Sequence, residues 1–455
     1  MNLYDIGYGL GVGVTAPYWL IRPRARRKVF RAFKERMGRV APREGDNPAV
    51  LIHAVSLGEM NATRALVAIL QRERPDLRFV ITTTTDTGYD RARELYGSSP
   101  AITIVRFPLD FSASVARLLD AMRPSVVVLM EGELWPNFLR ECAWRDIRTV
   151  LVNGRVTTSA YRNYKLIRPI VRTMLEGLDG ICVQGQTYAD RFVDLGAPPG
   201  RVLITGTMKF DTAPVGEGVS GALPLAESVG LRVGQDRIWV CGSTGPGEER
   251  ILLAVYRELL MKFPRLRLVL VPRHPQRFDE VAELVHEARF DVVRRSQRNR
   301  LDPNAAIPPV VLGDTMGELR VFYSIADLVF VGRSLFDLGP RQRGSDMIEP
   351  AALAKPVIIG PWTDNFAEVV KIFLAADAMR VATDPESLAG QVAELLANPR
   401  GAEQMGRRAA TIVQVERGAT ERNAQVILGE LNIAAPPPVP EGRPQRAAFP
   451  TLETP

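Results

Sequence analysis

The sequence predicts two consecutive doubly wound α/β domains. Three observations lead there. From residue 49 onward, short β-branched runs alternate with helix-like segments. The runs come in two series of similar length. A Gly/Pro-rich stretch, DTAPVGEGVSGALPLAE at 211–227, separates the series and reads as a linker. The first series is AVLIHAV (49–55), RFVITTT (78–84), AITIVRF (101–107), SVVVLM (125–130), RTVLVNG (148–154), GICVQ (180–184) and VLITG (202–206). The second is RIWVCGS (237–243), LRLVLVP (266–272), FDVVRR (290–295), PVVLGD (309–314), DLVFVG (327–332) and KPVIIG (355–360). Runs without strict alternation are buried parallel strands, covered by helices on both faces. Ligands of such sheets bind beyond the carboxyl ends of the strands. A cleft between the two domains is therefore the expected site.

The expected divisions are an apolar and basic N-terminal segment at 1–43, a first Rossmann-like domain at 44–212, a linker at 213–228, a second such domain at 229–432, and a Pro-rich disordered tail at 433–455. Of the 455 residues, 46% are hydrophobic and 24% charged, which is enough apolar material for real cores. Cys142, Cys182 and Cys241 are odd in number and far apart, so neither a disulfide framework nor a zinc site is expected. His53, His274 and His286 form no metal-ligand pattern.

The charge is concentrated. Net charge is +7, yet residues 21–43 hold ten Lys/Arg against Glu35 alone. Just before this belt, IGYGLGVGVTAPYWLI (6–21) is uncharged. Sixteen helical residues reach only ~24 Å, short of a ~30 Å hydrocarbon core. Charges that follow the apolar run do not fit a cleaved signal peptide. The pattern fits a shallow anchor, with Tyr18 and Trp19 at headgroup level and the basic belt on anionic lipid. A core helix followed by a solvated charge run is the plainer alternative. No nucleic-acid recognition motif accompanies the belt, so nucleic acid is not an expected partner.

Three segments share one plan of strand, small or polar turn, then helix start: SLGE (56–59), STGPGEE (243–249) and DTMGEL (314–319). Helix N-termini suit anions, and with Arg273 of VPRHPQRF they suggest a phosphate or carboxylate site in the second half. No GxGxxG or GxxxxGK[ST] loop is present, which speaks against dinucleotide oxidoreductases and P-loop NTPases. Ser56 to Glu59 and Thr315 to Glu318 also match capping boxes, a purely structural reading. Arg273 also reads as a solvated loop, and Glu349 as a simple helix start beside Pro350. MEGELWPN (130–137) ends an apolar strand and sets Glu131 and Glu133 at its carboxyl end. The two share one side only if the strand continues. Lys209 of GTMKFD ends the last strand of this half and suits an anion or an acid partner.

Taken together, HAVSLGE, ITTTTDTG, MEGELWPN, the NGR of VNGRVTTSAY, TGTMKFD, VPRHPQRF, LGDTMGEL and IEPAAL, in this order, resemble the lipid A 3-deoxy-D-manno-oct-2-ulosonic acid (Kdo) transferases. The resemblance runs from residue 1 to about 430. It implies a GT-B fold, with two Rossmann-like domains facing a cleft. It implies an inverting glycosyltransferase of lipopolysaccharide core biosynthesis, free of metal and cofactor, at the cytoplasmic face of the inner membrane. The donor would be CMP-Kdo and the acceptor a lipid A precursor. Glu59 would be the general base, with Glu131 (alternatively Glu133) and Lys209 assisting the transition state. Pro272, Arg273, Met316, Gly317, Glu318, Asp346 and Glu349 would bind the donor. A helix N-terminus is expected to keep Glu59 ionised.

Departures fall in the donor half. STGPGEE lacks the histidine the family pattern carries. GRSL (332–335) has Arg333 where the pattern has glycine, and Asp346 stands for an asparagine. Arg341 and Arg343 add charge to the same loop. An aspartate cannot donate the hydrogen bonds of an amide. Two other readings follow: a GT-B transferase with a related donor, and a non-catalytic membrane-associated binding protein that kept the cleft. A soluble epimerase of the same fold has no need of the apolar and basic N-terminus.

Overall fold

The structure, a computed structural model, describes residues 2–21, 32–213, 219–297, 305, 307–339 and 343–433. The chain divides into two compact units. One holds residues up to 212 and those from 418 on; the other holds 213–417.

The first unit is built on a seven-stranded parallel sheet: β1 (Ala49–His53), β2 (Arg78–Thr83), β3 (Ile102–Arg106), β4 (Val126–Met130), β5 (Arg148–Gly154), β6 (Gly180–Val183) and β7 (Val202–Ile204). Each corresponds to one apolar run of the first series. β1 and β4 are buried along their whole length, because helices cover both faces. Alternate residues serve opposite cores. Leu51, Val127 and Leu129 face one, and Val50, Ile52, Val126 and Val128 the other. Strand order is β3-β2-β1-β4-β5-β6-β7. The chain runs outward from β1 to β3, then returns to lay β4 against β1. The ligand crevice of such a sheet opens at this reversal, beyond the carboxyl ends of β1 and β4.

The second unit repeats the design with β8 (Arg237–Thr244), β9 (Leu266–Pro272), β10 (Val292–Arg294), β11 (Val310–Leu312), β12 (Leu328–Val331), β13 (Val357–Ile359) and β14 (Arg380–Val381). The order is β10-β11-β9-β8-β12-β13-β14, so the reversal lies between β8 and β12. Six of these strands match the second series of runs. β14 has only two residues, too few to show a pattern in sequence.

The expected end of the second domain at 432 is corrected. The final helix, Ala419–Ile433, belongs to the first unit. Ala419, Ala424, Ile427 and Leu431 sit in the core that holds Val50 and Val126. Asp211 fixes its start. The Asp211 carboxylate accepts the N–H groups of Gly418 (2.7 Å) and Thr420 (2.6 Å) and the Thr420 hydroxyl (2.6 Å).

The N-terminal helix, Leu3–Ile21, is pinned to the first unit at its start. Asp5 accepts the backbone N–H (2.8 Å) and hydroxyl (2.6 Å) of Ser112, and Asn2 donates to Asn137 (2.8 Å). Ile6, Leu10 and Val14 stay exposed, Leu10 at 66% and Val14 at 79%. Among the described residues, no helix is long and apolar enough to cross a membrane. The side chains of Tyr18 and Trp19, residues 22–31 of the basic belt, 214–218 of the linker, Arg341 and the Pro-rich tail from 434 lie outside the described residues.

Replacing Asp211 with alanine removes three hydrogen bonds at one helix start. The expected loss is about 1–2 kcal/mol, the usual range for a lost cap. Chemical denaturation reads it, and limited proteolysis should cut faster near Arg417. An unchanged midpoint and cleavage rate would show that the apolar face alone holds the helix.

Candidate active site

Glu59 stands where β1 gives way to the helix Leu57–Glu73. Ser56 is the N-cap, its hydroxyl accepting the Glu59 N–H (3.2 Å). The Glu59 carboxylate turns back to accept the N–H of Val55 (2.8 Å). The structural reading of SLGE is thus correct, and the carboxylate is held in one place by it. Glu59 is only 8% exposed.

β4 ends at Met130 because Glu131 adopts a left-handed backbone, φ 59°. The strand does not continue, so Glu131 and Glu133 are not two residues of one strand face. Glu131 is anchored twice to Arg155, which follows β5. Arg155 Nε donates to the Glu131 carboxylate (2.6 Å), and the Arg155 N–H donates to the Glu131 carbonyl (2.9 Å). Burial opposes the Arg155 charge, but the Glu131 carboxylate outweighs it and lifts the guanidinium pKa.

Burial, and next the Glu131 charge, push the Glu59 carboxyl up to about 7, against the hydrogen bonds from Val55 and Ser56. Against the expectation that the helix N-terminus keeps Glu59 ionised at neutral pH, its carboxyl is raised, by burial first and then by Glu131. Desolvation outweighs the dipole at this depth. Glu133 is raised as well, by burial first and also by Glu131.

The ELWPN segment is braced from below. Pro136 opens the helix Pro136–Trp144 at its first turn, and Asp110 accepts the N–H groups of Asn137 (3.1 Å) and Phe138 (2.9 Å). Phe107 packs against Trp135, Phe138 and His53. His53 is fully buried and its pKa is pushed down to about 3 by burial, so it is a neutral core residue at neutral pH.

Lys209 opens the short helix Lys209–Thr212, which packs on the helix that carries Glu59. Asn153, φ 52°, accepts the Met208 N–H (3.1 Å) and holds this turn to the end of β5. Asp211, two residues on, fixes the turn from the other side.

The second unit gathers positive and negative groups at its own carboxyl edge. Pro272 ends β9 and Arg273 follows it, exposed. Glu349 lies in the helix Ile348–Ala352. Burial, then Asp346, raises its carboxyl to about 6, while Arg320 and Arg273 hold it lower than it would otherwise stand. Asp346 accepts the Ile348 N–H (2.9 Å). Tyr323 is fully enclosed, its ring filling the space that the missing Cβ of Gly242 leaves.

Two turns differ from expectation. Thr315 to Glu318 is not a capping box. Gly317 has φ 85°, the helix starts at Leu319, and Glu318 accepts from the Thr315 hydroxyl and from Arg295 (2.9 Å). That helix, Leu319–Ile325, is too short to act as a strong dipole. Met316 projects, 70% exposed. In STGPGEE the anion is the chain's own. Glu248 is fully buried and accepts the N–H groups of Gly245 (2.8 Å), Arg333 (2.6 Å), Ser334 (2.8 Å) and Leu335 (3.0 Å). Glu249 beside it is equally buried, paired with Arg277 (2.7 Å).

Sequence reasoning missed Arg155 and Glu248 as parts of the two edges. The NGR triplet at the end of β5 was the available signal for the first. Nothing local marks the second, whose partners lie some 85 residues away.

A glutamate whose pKa rises on folding stabilises the fold only while protonated. Its contribution is intact below about pH 4.5 and is lost as pH climbs through about 7. Glu59→Gln stays neutral, so it should be more stable than the parent above pH 7, with the gap closing toward pH 5. Urea denaturation across this range measures it. A gap independent of pH would mean that Glu59 is not perturbed.

Residues 31–212 match the family model described as 3-deoxy-D-manno-octulosonic-acid transferase (kdotransferase). A 3-deoxy-D-manno-octulosonic acid transferase of Haemophilus influenzae is 35% identical over 375 residues, 82% of this chain and 85% of that protein. One of Bordetella pertussis is 33% identical over 392 residues, 83% of this chain and 86% of that protein. The crystal structure of Acinetobacter baumannii MurG superposes with a TM-score of 0.54 at 13% identity, covering 84% of this chain and all of that one. That likeness concerns fold alone, and the fold is GT-B. On its sequence and its two sheets, the chain belongs to the 3-deoxy-D-manno-octulosonic acid transferase family.

Proposed function

We propose that this chain transfers Kdo from CMP-Kdo to a hydroxyl of a lipid A precursor, with Glu59 as the general base. The observation that carries the reading is the Glu59 carboxyl, buried against Glu131 and titrating near 7. A base works best when its pKa lies near the working pH. The acceptor hydroxyl is far too weak an acid to ionise alone. Its oxygen attacks the anomeric carbon of the donor, and its proton passes to Glu59. The bond from that carbon to the CMP phosphate breaks, and CMP leaves with the electron pair.

Burial and then the Glu131 charge raise the basicity of Glu59, and Arg155 holds Glu131 in place. Lys209 is assigned to the transition state, where developing charge needs a counter-ion. In the second unit, Pro272, Arg273, Met316, Gly317, Glu318, Asp346 and Glu349 are assigned to the donor, with Arg273 taking charge that builds on the departing phosphate. Exposed Ile6, Leu10 and Val14 on the N-terminal helix, followed by the basic belt, support docking on the anionic cytoplasmic face of the inner membrane. A second reading, a related acidic sugar on the same nucleotide, is favoured by Arg333 and Asp346.

Detergent-solubilised protein, given CMP-Kdo made in place and a tetraacylated lipid A precursor, should add Kdo mass to the lipid by mass spectrometry. Glu59→Gln should lower the rate by roughly 10²–10⁴-fold, the usual worth of a positioned base. Transfer at an undiminished rate by the variant would remove Glu59 from the mechanism. No transfer by the parent, with a control transferase active in the same tube, would favour the related donor.

A further inference from the structure

At the carboxyl edge of the second sheet, β8 lies between β9 and β12. β8 ends in Thr244. Arg273 leaves the end of β9 on one side and donates its N–H to the Thr244 carbonyl (3.1 Å). Arg333 leaves the end of β12 on the other side, one residue after Gly332, whose N–H donates to Gly242 (2.9 Å). The two arginines therefore flank the turn that follows β8. Arg333 stands at the reversal of strand order, where ligands of open α/β sheets bind.

The backbone of Arg333 is held by force. Its φ is 59°, a left-handed value that costs a non-glycine residue on the order of 1 kcal/mol or more. Its N–H is gripped by Glu248 (2.6 Å), and its carbonyl accepts the N–H of Gly344 (2.7 Å). Its side-chain stem crosses Gly245, where an added Cβ would come within 3.0 Å of Cγ. The guanidinium is aimed by these contacts, yet it has little to hold. Its Nε is buried without a hydrogen-bond partner among the described residues, and no carboxylate there pairs with it. The four N–H groups on Glu248 fill that carboxylate. Arg343, ten residues on, differs: it pairs with Asp337 (2.6 Å) and Asp364 (2.5 Å) and stacks on Trp362. Arg343 is held in ion pairs, whereas the Arg333 guanidinium makes none among the described residues. Burial and then the Arg273 charge lower the Arg333 pKa, and the nearby Glu248 carboxylate, already taken up by four backbone N–H groups, offsets them only in part.

We propose that Arg333 is a donor-binding residue, which joins Arg273 in a two-guanidinium clamp on an anionic group of the activated sugar. This rests on the donor reading above and extends it to a residue that reading leaves out. The donor offers two such groups, the nucleotide phosphate and the sugar carboxylate. Both accept paired N–H donors in one plane.

Calorimetric titration with CMP and with cytidine, beside the steady-state KM for CMP-Kdo, tests the clamp. The variants are Arg333→Gly, which also removes the backbone strain and should keep or raise thermal stability, and Arg333→Lys, which keeps a charge without the fork. If the clamp holds the phosphate, Arg333→Gly weakens CMP by about ten- to a hundredfold, the range of a charged hydrogen bond, and leaves cytidine unchanged. Arg333→Lys recovers part of the loss. If it holds the carboxylate, CMP is unaffected while the KM for CMP-Kdo rises by a similar factor. Unchanged CMP affinity together with unchanged KM in a folded Arg333→Gly protein overturns the clamp and leaves the donor reading intact. A parent protein that neither binds CMP nor turns over CMP-Kdo contradicts the donor reading itself, and the clamp with it.

Discussion

The constraint on which the first unit turns is the burial of the Glu59 carboxyl, with the Glu131 charge close by. Glu59 and Glu131 follow β1 and β4, strands that pair directly because the chain reverses its outward course between them. The parallel sheet brings their ends together, and the covering helices exclude water. Burial, and then the Glu131 charge, make the ionised form of Glu59 costly. Arg155 grips Glu131 through side chain and backbone alike. The cost falls on Glu59, whose proton is left loosely held near neutral pH. A stable fold would avoid this arrangement, and a base catalyst needs it.

The second unit uses the same topology with the opposite sign. Its carboxyl edge carries two arginines on either side of β8, and its own buried acid, Glu248, organises the loop that presents one of them. That acid takes the backbone N–H groups that an external anion would otherwise find in a turn of this kind. Glu349 and Asp346 temper the positive field there, and burial with the Asp346 charge lifts Glu349 to about 6.

Much of the fold was legible in the sequence because buried parallel strands announce themselves as β-branched runs. β14 was not, since two residues carry no period. Nor was the return of Ala419–Ile433, which depends on Asp211 reaching residues more than 200 positions away. SLGE was legible as a cap, and the structure bears that reading out: Ser56 caps the helix and the Glu59 carboxylate is fixed by the Val55 N–H. The upward shift of the Glu59 carboxyl was not legible, because a helix dipole can be read from sequence and burial depth cannot. DTMGEL matched a cap by spacing, but the left-handed Gly317 defeats it. Arg155 lay in a quoted motif, yet its partner could be found only once β5 was set beside β4.

The most direct measurement is the pH dependence of kcat/KM for the parent enzyme with saturating control of the lipid acceptor. A base titrating near 7 gives an acid limb that bends there, falling tenfold per pH unit below it. That is the result this account predicts. A profile flat down to pH 5, bending only near the ordinary glutamate value, would contradict it, because Glu59 would then be an unperturbed surface acid rather than the buried half of a carboxyl pair.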